Sequence, residues 1–230
     1  MKISKNLKMV AIGISAFLIY LFLPELQAVP FQILNIDITK LPLYIKVIYS
    51  IVFQLGLMAF IILLFHQELI SSWQDLKINH KNYFTSYFKY WFLALGLMMI
   101  SNGIIMIFTN DLAKNEESVR QLLELSPIYV YFSAVIFAPI VEELVFRLGL
   151  RYIVKWDWLF ILLSGLAFGG MHVLNSTKWI DLIYIIPYSI PGFVFAYVLV
   201  KSKNIFVPMG LHFVHNGILL SIQFIILLFK

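Results

Sequence analysis

Two adjacent carboxylates and an arginine interrupt an otherwise apolar run, Ala138-Pro139-Ile140-Val141-Glu142-Glu143-Leu144-Val145-Phe146-Arg147. Glu143 and Arg147 are four residues apart, so on a helix they share a face and can pair. Glu142 is rotated about 100° from Glu143 and is the carboxylate left to face a cavity. An arginine with one glutamate would suit a structural ion pair. A second, adjacent glutamate does not fit that role, because like charges in a low dielectric repel. Two further polar groups stand in apolar surroundings: Phe168-Gly169-Gly170-Met171-His172, and Leu211-His212-Phe213-Val214-His215-Asn216. His212 and Asn216 share a helix face, whereas His215 points elsewhere by the same periodicity and could substitute or merely pack. A carboxylate beside a histidine can activate water as a general base. A His-Asn pair on a facing helix can donate hydrogen bonds to a tetrahedral oxyanion. Together these groups are the equipment for hydrolysing a peptide bond.

The elements that must carry them are membrane helices. Hydrophobic residues make up 61% of the 230, charged residues 13%, and the mean hydropathy is +0.90. A soluble domain of this length needs more polar surface. The apolar residues fall into blocks of spanning length, which predict an all-α polytopic membrane helix bundle of about seven transmembrane helices. The expected spans are 8–24, 46–65, 90–108, 127–151, 157–175, 182–200 and 205–229. Residues 1–230 read as a single integral membrane domain, without repeat, linker or low-complexity run. The charged stretches 66–90 and 109–126 read as solvated loops. The N-terminus has the form of a signal peptide or of a retained first span. The weak cleavage site around Glu25-Leu26-Gln27-Ala28 favours the retained span.

With the N-terminus inside, the inner segments hold ten Lys and Arg and the outer segments six, which orients the chain N-inside. The absence of cysteine excludes disulfides, thiolate catalysis and cysteine metal sites. No basic, aromatic-laced surface suggests nucleic acid. Measured at 1.5 Å per residue from the expected inner helix ends, Glu142 lies about 20 Å deep, His172 about 22 Å, His212 about 10 Å and Asn216 about 16 Å. Allowing for tilt, all four can meet in one cavity at mid-depth or toward the cytoplasmic side. Gly165 and Gly169 form a small-xxx-small face that permits a close neighbour. No His-Glu-x-x-His zinc helix is present. Asp111, Asp157 and Asp181 sit at expected membrane edges, which leaves no intramembrane aspartyl pair. Ser164 has no activating partner at helical spacing.

Glu142-Glu143-x-x-x-Arg147, Phe168-x-x-x-His172 and His212-x-x-x-Asn216, in that order and within membrane segments, resemble the three motifs of the CAAX-protease and bacteriocin-processing (CPBP, or Abi) family. The resemblance covers about residues 120–222, and the first three spans carry no motif tied to function. It implies a glutamate-dependent membrane endopeptidase in which Glu142 activates water with help from His172, His212 and Asn216 stabilise the oxyanion, and Glu143 and Arg147 position the site. Metal-free chemistry is the favoured expectation. If zinc or another divalent metal were used, Glu142, His172 and His212 would supply three ligands and leave one position open. The expected partners are the lipid bilayer and a peptide or membrane-protein substrate. The Ile-, Phe- and Lys-rich composition points to a bacterial cell membrane, where family-level associations include bacteriocin immunity and peptide maturation of the quorum-sensing kind. Two other classes stay open from the residues: a non-catalytic immunity or membrane partner-binding protein, and a small ion-coupled transporter using the buried charges as a pathway.

Overall fold

The computed structural model describes residues 5–109, 113–174, 176 and 178–229, with the side chain of Lys5 outside that description. The chain folds as a bundle of helices: α1 (Lys5–Leu21), α2 (Leu23–Ile33), α3 (Leu43–Leu64), α4 (His66–Thr109), α5 (Lys114–Leu125), α6 (Pro127–Ile153), α7 (Asp157–Val173), α8 (Trp179–Ser202) and α9 (Phe206–Leu228). No strand occurs among the described residues. This is the outcome expected in a bilayer, where every backbone N–H and C=O must be paired within its own segment.

Among the described residues, five helices are long and apolar enough to cross a membrane: α3, α4, α6, α8 and α9. The sixth span is a bent pair, α1 with α2, whose axes turn by 63°. Pro24 lies in the first turn of α2 and lacks the N–H that would continue α1. The seventh apolar helix, α7, has 17 residues and therefore measures about 26 Å, the short end of spanning length. Large apolar side chains such as Ile48, Leu63, Phe108, Ile128 and Trp158 point outward, as a lipid-facing surface requires.

Two expectations are corrected. Residues 66–90 are not a solvated loop: they form the first half of α4, a 44-residue helix about 66 Å long, twice the bilayer core. Its polar half is held by tertiary bonds. Buried Asn204 donates to Ser72 O at 2.8 Å and to Asp75 Oδ2 at 2.7 Å, Asn79 donates to Asp75 Oδ1, and Tyr83 bonds the same carboxylate. Within 109–126, residues 114–125 form the amphipathic α5, pinned by the Arg120–Glu116 pair at 2.7 Å. Residues 110–112 lie outside the described segments.

Helix contacts rest on small residues, because lipid tails are as apolar as leucine and burial alone gives little drive. A Cβ on Gly165 would meet the Phe193 ring at 2.0 Å, and one on Gly169 would meet Ser189 Oγ at 2.1 Å and Ile185 O at 2.8 Å. The expected small-residue face is therefore where α7 closes on α8. A second close approach joins α1 to α6, where a Cβ on Gly13 would fall 2.3 Å from Gly149 O. Between them lies a core of Phe65, Phe146, Phe160, Phe168, Val141, Leu144 and Val145, all 3% exposed or less.

Candidate active site

α6 carries the charged motif and is not a regular helix. Its turns widen to π geometry over Phe132–Phe137 and Leu144–Gly149, on either side of the short α segment Ala138–Glu143. Pro139 cannot donate a backbone hydrogen bond, and its ring crowds the carbonyl four residues back. The widened turn just before it relieves that clash, and π-turns of this kind mark irregular points in functional helices.

The adjacent glutamates divide as their rotation predicts. Glu143 is fully buried, with Oε2 3.1 Å from Arg147 Nε and Oε1 3.0 Å from His212 Nδ1. The Nε–Oε2 approach is a close ion pair without hydrogen-bond alignment, and Arg147 Nη2 has no hydrogen-bond partner among the described residues. Arg147 is itself fully buried. It donates from Nη1 to Ser164 Oγ at 2.9 Å and lies over the Phe168 ring at 5.1 Å. Ser164 in turn donates a hydrogen bond to Phe146 O at 2.8 Å, so this serine anchors α7 to α6.

Glu142 faces a cavity of about 320 Å³. Its Oε2 lies 3.8 Å from His212 Nε2, while Oε1 accepts a 2.6 Å hydrogen bond from Tyr20 on α1. His172, His212 and Asn216 line the same cavity, as do Ser133, Phe168, Tyr188 and Phe195. The expected gathering of four polar groups from three helices is therefore present. Its depth is shifted, because His172 stands at the last turn of α7 and Asn115 and Glu116 of α5 also line the cavity. The space runs along α9 from His212 to Gln223, toward α5 and away from the Arg151–Asp157 end. With the N-terminus inside, that direction is outward and not toward the cytoplasmic side.

Hydrogen bonds assign the histidine tautomers. His172 Nδ1 lies 2.9 Å from Phe168 O, and a carbonyl only accepts, so Nδ1 carries a proton. Its ring stacks on Tyr188 at 4.7 Å. His212 Nδ1 faces an ionised carboxylate and likewise donates. Asn216 Nδ2 donates to Ala134 O at 2.7 Å and contacts His212 Nε2 at 3.2 Å. Both amide protons of Asn216 are thus engaged inside the protein. An incoming oxyanion has to draw one away, or has to meet a His212 that carries both ring protons.

Two residues were misplaced or missed by sequence reasoning. His215 lines the same cavity instead of pointing elsewhere, and its Nδ1 is buried with no hydrogen-bond partner among the described residues. It stands edge-on to Phe195, which also packs on His212. Positions three apart on a helix differ by about 60°, a spread that a cavity wall easily spans. Tyr20 lies in a span without any motif and meets Glu142 from 122 residues away, so no local pattern could have found it.

Glu142, His172 and His212, the residues that would hold zinc or another divalent metal, all line this cavity. Both histidines turn Nδ1 to protein acceptors, as metal-binding histidines also do, and no group of three His, Asp or Glu side chains already placed to hold a metal ion occurs among the described residues.

Residues 124–218 match a family model described as type II CAAX prenyl endopeptidase Rce1-like. All six candidate residues fall inside that match. The chain is also 28% identical over 115 residues to a Bacillus subtilis (strain 168) protein named "Putative membrane peptidase YdiL". That alignment covers 48% of this chain and 43% of the relative, so it spans less than half the relative's length. No solved structure matches the chain. Motif order, spacing, membrane setting and the family match point the same way: residues 124–218 are similar to the type II CAAX prenyl endopeptidase Rce1-like family.

Proposed function

We propose that the chain is an intramembrane endopeptidase of the glutamate type that hydrolyses a peptide bond in a peptide or membrane-protein substrate. The observation that carries this reading is the meeting of Glu142, His172, His212 and Asn216 on one cavity, backed by the buried Glu143–Arg147 pair. Water held between Glu142 Oε2 and His172 Nε2 gives its proton to Glu142, and the oxygen attacks the scissile carbonyl carbon. The carbonyl oxygen becomes an oxyanion and accepts hydrogen bonds from Asn216 Nδ2 and a doubly protonated His212. When the C–N bond breaks, the proton on Glu142 passes to the leaving amine. Glu143 holds the His212 ring through Nδ1, and Arg147 holds Glu143. Each step uses protein groups and water, and none runs through a metal.

The same proposal places the N-terminus in the cytoplasm of a bacterial cell. Contacts between Phe65 and Tyr152 and between Asp75 and Asn204 gather the α3–α4 turn, the end of α6 and the α8–α9 turn at one end of the bundle. That end carries Lys77, Arg151, Lys155, Lys201 and Lys203, which is the positive side expected to stay inside. Peptide maturation or bacteriocin immunity would suit such an enzyme.

The test is cleavage of a membrane peptide by purified protein in liposomes, comparing wild type, Glu142→Gln and His172→Ala, with and without a chelator. The expected result is loss of at least about 100-fold in both variants and no effect of chelation. Equal cleavage by all three proteins would refute the catalytic assignment and favour a non-catalytic partner-binding role. Activity lost on chelation and restored by zinc would overturn the metal-free mechanism.

A further inference from the structure

The first helix carries no family motif and lies wholly outside residues 124–218, yet it reaches the centre of the site. Tyr20 donates its phenolic proton to Glu142 Oε1 at 2.6 Å. The ring that delivers the hydroxyl is fixed edge-to-face on Phe146 at 5.2 Å, and Phe17, one turn earlier, packs edge-to-face on the same ring at 5.9 Å. Phe146 lies four residues after Glu142 on α6, so α1 grips the helix that carries the carboxylate. Further along, Ala16 is fully buried and Gly13 touches the Gly149 backbone so closely that no side chain fits between them. The sequence of small and aromatic residues Gly13, Ala16, Phe17 and Tyr20 is one face of α1, and that whole face lies on α6.

We propose that Tyr20 is a positioning residue for Glu142 and that α1 is thereby part of the active site. The inference rests on Glu142 being the base. A carboxylate on an unbranched side chain has a broad, two-fold terminal torsion, so neither oxygen is oriented unless something holds it. The Tyr20 bond takes Oε1, which leaves Oε2 on the His212 side, 3.8 Å from Nε2, as the oxygen that receives the water proton. The bond also pairs one oxygen of a carboxylate that is only 6% exposed among apolar neighbours. Without it, Glu142 keeps its place on α6 but loses the fixed direction of Oε2. Small misplacement of a reacting group lowers the rate of the chemical step far more than it lowers binding.

The experiment compares wild type, Glu142→Gln and Tyr20→Phe as full chains in liposomes, on one peptide that wild type cleaves. The phenylalanine keeps the ring contact with Phe146 and removes only the donor. The expected result is a retained helical fold by circular dichroism, a kcat lower by about 10- to 100-fold and a KM within about two-fold of wild type. Full kcat in Tyr20→Phe, with Glu142→Gln inactive, overturns the positioning role and leaves the base assignment standing. A loss carried by KM alone also overturns it, since that would place Tyr20 in substrate binding. Full activity in Glu142→Gln removes the base assignment and this inference with it.

Discussion

Replacing Arg147 by Met should destabilise the protein at least as much as replacing Arg147 and Glu143 together. Both side chains are fully buried and 3.1 Å apart. Removing one partner leaves the other as an unpaired charge in an apolar setting, which costs about 3–5 kcal/mol. Arg147→Met and Glu143→Gln should each fall in that range. The double variant Glu143→Gln, Arg147→Met leaves no orphan charge. It loses the alignment of three contacts, to Ser164, to His212 and between the two side chains, worth about 1 kcal/mol each. The double should therefore cost about 3 kcal/mol, at least about 3 kcal/mol less than the sum of the singles. Reversible unfolding in mixed micelles, followed by tryptophan fluorescence and far-UV circular dichroism, measures all three. Additive losses would refute the reasoning, because they would mean that the two charges act independently.

Two further outcomes follow from the packing. Gly169→Ala should impair folding and cleavage, because its Cβ would meet Ser189 Oγ and the Ile185 backbone. Gly170→Ala, with open space around it, should leave both intact, and equal melting temperatures for the two would contradict the α7–α8 contact. Asn204→Ala removes the bonds to Ser72 and Asp75 that hold the polar half of α4. Hydrogen exchange should then rise across residues 66–90 while peptide cleavage is retained, and unchanged exchange would refute that account.

Much of the architecture was legible because the bilayer is a simple solvent. Apolar blocks of spanning length have to be helices, so the spans around 46–65, 127–151, 182–200 and 205–229 followed from hydropathy alone. Helical spacing correctly paired Glu143 with Arg147, turned Glu142 away from them, and matched His212 with Asn216, since those relations are local. The polar half of α4 escaped because it has no apolar block, and its helix is secured by Asn204, more than 100 residues away. The 63° break after α1 and the widened turns around Pro139 escaped because proline says where a helix is stressed and not how neighbours absorb the stress.

The chemistry divides along the same line. The sequence by itself determined that three membrane helices bring a carboxylate, two histidines and an asparagine to compatible depths, because buried ionisable groups are too costly to be incidental. Only the tertiary structure decided which groups touch. It set Tyr20 against Glu142, turned Nδ1 of both histidines toward protein acceptors, engaged both protons of Asn216, and brought His215 into the cavity wall. The physical reason is that helix periodicity fixes the direction of a side chain only relative to its own axis. Which neighbour it meets depends on how closely the helices approach, and here that is set by Gly13 on Gly149 and by Gly165 and Gly169 against α8.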